Sequence, residues 1–251
     1  MIERTFLHLP RTGVATEQKL WKQGIGTWND FLSANAIKGF TREKKAVSDD
    51  ILHASTRALH RGDSAFFMSV PSAQQWRLYD AFAEDAVFVD IETSWRGDVT
   101  VLGVYDGKRV KQFVRGENLN AKTVKEHVDG KIIVTYNGAS FDLPVLRRCF
   151  GAHTVATVPH FDTMHLARKL GYRGGLKALE VSLGIQRPDA VQGMSGQDAL
   201  ALWDLYRATG DESHLKRLLA YNEEDIVNLQ QVARTLVLQG QKTFLNNSLF
   251  R

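Results

Sequence analysis

The chain has 251 residues, enough for one large domain or for one of ordinary size with an appendage, and its 43% hydrophobic and 24% charged residues exclude wholesale disorder. One cysteine, Cys149, excludes a disulfide framework and an all-cysteine metal site, and no apolar run approaches the roughly 20 residues that cross a bilayer. A net charge of +4, from 32 basic and 28 acidic residues, leans only weakly towards a polyanionic partner, and the start at Met1 lacks the apolar core of a secretory signal, so the expected compartment is the cytoplasm.

Residues 1–83 read as a helical accessory segment. Apolar residues recur at helical spacing over Glu17 to Trp21, Trp28 to Leu32 and Ile51 to His60, broken by Gly24, Gly26, Gly39 and Gly62. Asp49 and Asp50 are candidates to start the third helix. Thr41 to Lys45 reads as a solvated turn or helix edge, or as a phosphate contact. The character changes near Asp85, and residues 84–238 form the expected main domain. Ala86 to Glu92 is a β-rich run, Val99 to Tyr105 a second strand and Arg109 to Val114 a third. Asp106 and Gly107 form the turn of a hairpin.

The pattern then alternates. A helix is expected over about 119–128, a buried strand over Lys131 to Tyr136, and a helix with Pro144 just inside its start that runs to about Phe150. A short strand follows over Val155 to Phe161, then helices from about Thr163 and from Leu176, with Gly171, Gly174 and Gly175 between them. Residues 199–238 read as helix, interrupted at Thr209 to Asp211, and 239–251 as a C-terminal tail that Phe244, Leu245 and Phe250 could dock. An antiparallel meander followed by parallel strands describes a mixed α/β sheet flanked by helices. This order is similar to that of a ribonuclease-H-like domain, with its crossovers right-handed.

Three acidic features interrupt this pattern. Asp90 and Glu92 end the first strand two residues apart, so they share a face, and two carboxylates so close repel unless a cation or proton lies between them. They are either a candidate pair of ligands or incidental acids at a wet strand end. Asp142 follows Asn137 in the loop between a buried strand and the helix of Pro144, where it either joins a site or caps the helix. Tyr221 and Asp225 are four residues apart and share one face of a late helix, while Glu223 and Glu224 fall off that stripe. Converging, these acids offer hard oxygen ligands suited to Mg²⁺ or Mn²⁺ and not to zinc. Four carboxylates can hold two such ions, as in phosphodiester hydrolysis.

The runs Asp90 to Thr93, Asn137 to Asp142 and Tyr221 to Asp225 resemble the three exonuclease motifs of the DEDD (DnaQ-like) 3′–5′ exonucleases, over about Ala86 to Val237. In detail the chain resembles the YprB-type ribonuclease-H-like branch, also through His160 to Arg168 and Gly174 to Leu179. The histidine subclass would need His where Ala220 stands, so the resemblance is to the tyrosine subclass. It implies that Asp90, Glu92 and Asp225 hold an ion that activates water. Asp90 would bridge to a second ion with help from Asp142, and Tyr221 would orient the water. It also implies that backbone near Thr93 meets the terminal nucleotide. Trp95 either stacks on a base or covers the sheet edge, Asn137 is a further substrate-binding candidate, and Asp162 either supports the site or caps the next helix.

Leu9 to Gly13, Glu17 to Trp21 and Gly24 to Trp28 resemble one helix-hairpin-helix unit, with Arg11 where the first glycine usually stands. Phosphate contact and packing against the main domain are its two readings. The expected function is therefore a metal-dependent 3′–5′ exonuclease with two ions per site, acting on the 3′ end of single-stranded DNA or RNA. The alternatives are a catalytically silent nucleic-acid-binding scaffold and a structure-specific endonuclease.

Overall fold

The computed structural model describes residues 1–155 and 158–246. Thirteen residues lead into α1 (Val14–Lys22), followed by α2 (Trp28–Ser33) and α3 (Arg42–His60). α3 begins well before Asp49, because the Thr41 hydroxyl accepts the Lys44 N–H at 3.2 Å and caps the helix. Asp49 lies inside it, ion-paired to Lys45 one turn back at 2.8 Å. Two stretches of 3₁₀ helix, Ser64–Ser69 and Ser72–Asp85, link this segment to the sheet.

The sheet comprises β1 (Ala86–Thr93), β2 (Val99–Tyr105), β3 (Val110–Val114), β4 (Ile132–Thr135) and β5 (His160–Asp162), in the spatial order β3-β2-β1-β4-β5. β1 pairs antiparallel with β2 and parallel with β4, so the meander and the crossover part meet on it. β5 is shorter than the expected strand from Val155, of which residues 156–157 lie outside the described residues, as does Phe250.

The helices are α4 (Ala121–Val128), α5 (Asp142–Phe150), α6 (Thr163–Lys169), α7 (Leu176–Ser182), α8 (Gly196–Thr209) and α9 (Glu212–Gly240). The break between α8 and α9 has a local cause. Gly210 takes φ 72°, which ends α8, and the Asp211 carboxylate accepts the Ser213 N–H at 2.8 Å, which starts α9. Past Gly240 the chain continues as a π-helical turn, Gln241–Asn246, and the Phe244 ring lies 6.4 Å from that of Trp76. No helix among the described residues is long and apolar enough to cross a membrane.

Strand alternation divides the core. Ala86 and Phe88 of β1 face α9 and pack with Ile226, Leu229 and Val232. Val87, Val89 and Ile91 face the other way, onto Val124 and Val128 of α4 and Leu143 and Leu146 of α5. Phe6, Leu20, Trp21, Trp28 and Phe31 of the N-terminal segment belong to the same buried cluster as Phe88, so the segment extends the core on the α9 side of the sheet. A buried ion pair fastens α1 to the second 3₁₀ stretch: Arg77 lies 2.7 Å from Glu17, which is wholly buried and also accepts the Phe6 N–H and the Thr5 hydroxyl at 2.8 Å. Arg11 takes φ 53°, the left-handed conformation that glycine adopts freely and arginine rarely does.

Candidate active site

Because even-numbered residues of β1 face α9, Asp90 and Glu92 follow Phe88 onto that face just where the apolar part of the strand ends. α9 crosses them with Tyr221, Asn222 and Asp225 buried. Each of Asp90, Glu92 and Asp225 offers a carboxylate oxygen, and these oxygens lie within 4.8 Å of one another. Asp142 approaches from the opposite side of β1. It opens α5, is buried, and its Oδ1 accepts the Ile91 N–H at 3.2 Å, outside the three-acid group.

Asn222 completes the contact between helix and strand. Its Nδ2 donates to the Asp90 carbonyl at 3.3 Å and to Asp90 Oδ2 at 3.0 Å, while its Oδ1 accepts from Gln112 at 3.1 Å. Gly103 lies opposite Asp90 in the ladder, and a Cβ there would fall 2.1 Å from Asn222 Oδ1. The missing side chain on β2 is what lets Asn222 reach β1.

Two cations flank Asp225 and Tyr221. Lys177 donates to the Tyr221 hydroxyl at 2.8 Å and to the Met194 carbonyl, and its Nζ lies 4.4 Å from the centre of the Tyr221 ring. Arg187, from the loop between α7 and α8, grips Glu180 with two hydrogen bonds of 2.6 and 2.7 Å and donates to Asp225 Oδ1. Sequence reasoning missed Asn222, Lys177, Glu180 and Arg187. Gly103 inside a strand was the available sign of a close approach. The cations reach the site from α7, which carries Lys177, and from the loop after it, which carries Arg187, and neither shows a local pattern.

The acids open onto a cleft of about 680 Å³, lined also by Thr93, Phe141 and residues 195–197 at the start of α8. Thr93 sits at a register shift that ends β1, and Trp95, in the loop beyond, is 65% exposed. Asn137 and Asp142 are not among the residues lining this cleft. Asn137 takes φ 65°, and its N–H donates to Asp162 at 2.8 Å. Asp162 also accepts the Ala139 and Met164 N–H groups at 3.1 Å, so it caps α6 and tethers the loop before Asp142. Glu223 is exposed and Glu224 half-buried.

Burial and mutual repulsion dominate the electrostatics. Burial, then Asp225, Glu92 and Asp142, push the Asp90 carboxyl well above the usual range. Glu92 is raised the same way, by burial and then by Asp225 and Asp142. Burial pushes Asp142 up to about 7. Asp225 is raised by burial, opposed by Arg187, and burial with the surrounding acids pushes the Tyr221 hydroxyl up. Carboxylates in this state cannot all ionise without compensation. A divalent cation bound there would supply it, and an all-oxygen donor set is of the kind that suits Mg²⁺ or Mn²⁺.

None of the curated proteins matches the chain. A solved family B DNA polymerase from the hyperthermophilic archaeon Pyrobaculum calidifontis is similar over 61% of this chain, at 17% identity and a TM-score of 0.48, and the match takes in 24% of the polymerase chain. A family model described as RNase_H superfamily matches residues 87–237. That span holds the five described strands from Val87 onward together with Asp90, Glu92, Asp142, Asp162, Glu180 and Asp225, and the chain belongs to the RNase_H superfamily.

Proposed function

We propose that the protein is a divalent-metal-dependent 3′–5′ exonuclease that hydrolyses phosphodiester bonds at the 3′ end of single-stranded DNA or RNA. The observation that carries this reading is the convergence of Asp90, Glu92 and Asp225 within 4.8 Å, with Tyr221 one helical turn before Asp225 at the same cleft. Asp90, Glu92 and Asp225 would hold the ions, with Asp142 contributing from the Ile91 side. Bound divalent ions supply Lewis acidity, making water ionise near neutral pH and offsetting charge on the attacking and leaving oxygens.

The remaining roles belong to the chain. The raised pKa of Tyr221 keeps its hydroxyl neutral, so it serves as a hydrogen-bond donor and not as a base. Lys177 donates into that hydroxyl oxygen, which leaves the hydroxyl's own hydrogen free to point into the cleft. The first turn of α8 lines the cleft, and helix N-termini favour anions such as a phosphodiester. Phe141 and Thr93 bound the same space, where a terminal nucleotide would lie. The polarity of cleavage rests on the resemblance of the three acidic motifs to those of 3′–5′ exonucleases.

The test uses 5′-labelled DNA and RNA single strands with Mg²⁺ or Mn²⁺. A ladder shortening from the 3′ end is expected. It should be lost with chelator, lost in Asp90→Ala, and slowed about a hundredfold in Tyr221→Phe, the scale of removing one oriented donor. Blocked 3′ ends should stop it; cleavage that persists on them would make the protein an endonuclease. Tight binding of single strands without cleavage under either ion would make it a catalytically silent binder.

A further inference from the structure

We infer that Arg187 is a positioning residue that sets which size of cation the acid group accepts, by holding one oxygen of Asp225 so that this carboxylate offers a cation a single oxygen. The inference rests on the reading of the acid group as a metal site. Arg187 is no swinging surface side chain. Its guanidinium side chain is 6% exposed and grips both oxygens of Glu180, whose side chain is 1% exposed, through Nε at 2.6 Å and Nη2 at 2.7 Å. The same Nη2 donates to Asp225 Oδ1, and the guanidinium lies 6.0 Å from the centre of the Tyr221 ring. The end of its loop is tied down as well, by Lys177 on the Met194 carbonyl and by the Ser195 hydroxyl capping α8.

A guanidinium so anchored stays in place when a cation arrives, so Asp225 Oδ1 stays engaged. Coordination chemistry gives this a consequence. Ca²⁺ takes six to eight oxygens and often chelates a carboxylate through both of its oxygens, whereas Mg²⁺ is smaller, prefers six ligands and binds carboxylates through one. An Asp225 restricted to one oxygen disfavours Ca²⁺ relative to Mg²⁺. Removing Arg187 also removes a positive charge, but that strengthens attraction for both ions alike. The ratio of their affinities therefore isolates the positional effect from the electrostatic one.

The experiment is calorimetric titration of the metal-stripped 251-residue chain with CaCl₂, MgCl₂ and MnCl₂ at fixed ionic strength. It compares wild type with Arg187→Met and with Glu180→Met/Arg187→Met, the second because the single change strands a buried carboxylate. In both variants the Ca²⁺ affinity should rise relative to Mg²⁺ by about tenfold, the lower end of what outer ligand partners contribute. Arg187→Lys should shift the ratio the same way, since one ammonium cannot grip Glu180 and Asp225 in the same geometry. Cation binding with a ratio unchanged across the folded variants overturns the inference alone. A wild type that binds none of the three ions overturns the metal-site reading and the inference with it.

Discussion

Replacing Gly103 with alanine tests whether the close approach of α9 to β1 builds the acid group. The added Cβ would lie 2.1 Å from Asn222 Oδ1 and 2.9 Å from its Cγ. Asn222 is wholly buried and has no open side to move towards. It must swing, and in doing so it gives up the donor bonds to Asp90 at 3.0 and 3.3 Å and the bond from Gln112 at 3.1 Å. Each of these three buried hydrogen bonds costs about 1 kcal/mol when lost, and forcing a methyl into a filled space costs about 1–3 kcal/mol more, so Gly103→Ala should destabilise by about 4–6 kcal/mol. Asn222→Ala loses the three bonds without the clash and should cost about 3 kcal/mol. In Gly103→Ala/Asn222→Ala the new methyl enters the space the amide left, so the double variant should lie within about 1 kcal/mol of Asn222→Ala alone. Urea denaturation of the four proteins, with midpoints and slopes compared, measures this. A Gly103→Ala protein as stable as wild type, or a double variant as unstable as the sum of the singles, would refute the reasoning.

Two further outcomes follow from buried charge. In the folded chain the Asp142 carboxyl is pushed up to about 7 from an ordinary 3.8, so between these values the folded state keeps a proton that the unfolded state has released. Its contribution is complete below the lower value and is lost as pH rises through the upper one. The cation-free protein should therefore melt at progressively lower temperature from about pH 4 to about pH 7, more gently in Asp142→Asn, and saturating Mg²⁺ should shrink the loss. A melting temperature that climbs over that window with chelator present would contradict it. In the N-terminal segment, Arg77→Met leaves the wholly buried Glu17 without its cation and should cost about 3–5 kcal/mol, whereas Glu17→Met/Arg77→Met should recover most of that loss. Urea midpoints decide it; a single variant within about 0.5 kcal/mol of wild type would show that the pair does not fasten α1 to the second 3₁₀ stretch.

The parts of this site legible in the sequence are those governed by short-range periodicity. Period two in β1 puts Asp90 and Glu92 on one face, and the helical repeat in α9 puts Tyr221 above Asp225. Asn137, in contrast, stood in a matching motif, and its positive φ turns its N–H to Asp162 while its position leaves the cleft lining to others. The helix boundary at Thr41 was hidden by the more conspicuous Asp49 and Asp50. One hydroxyl on the Lys44 N–H outweighs two acids that lie inside the helix. Residues 1–83 read as accessory because they precede the α/β order, with packing against the main domain as one of the two readings of their start. The aromatic residues Phe6, Trp28 and Phe31 give the segment a share of the core behind Phe88, and which side chains do so is set by tertiary packing and not by a local pattern.

What stayed hidden in the site is set by long-range closure. Lys177 and Tyr221 are 44 residues apart, and Arg187 and Asp225 are 38 apart. Neither pair repeats on any strand or helix period: the first depends on how α7, which carries Lys177, packs against α9, and the second on how the loop between α7 and α8 folds back over α9. Asn222 is adjacent in sequence to Tyr221, yet it points to β1 because β2 offers a glycine at the crossing. Acids announce themselves by being costly at a strand end, whereas the groups that make that cost tolerable are ordinary residues whose role exists only once the chain has closed. The acid group is thus readable as chemistry before folding, while its charge balance, with Arg187 and Lys177 beside Asp225 and Tyr221, is a property of the tertiary structure alone.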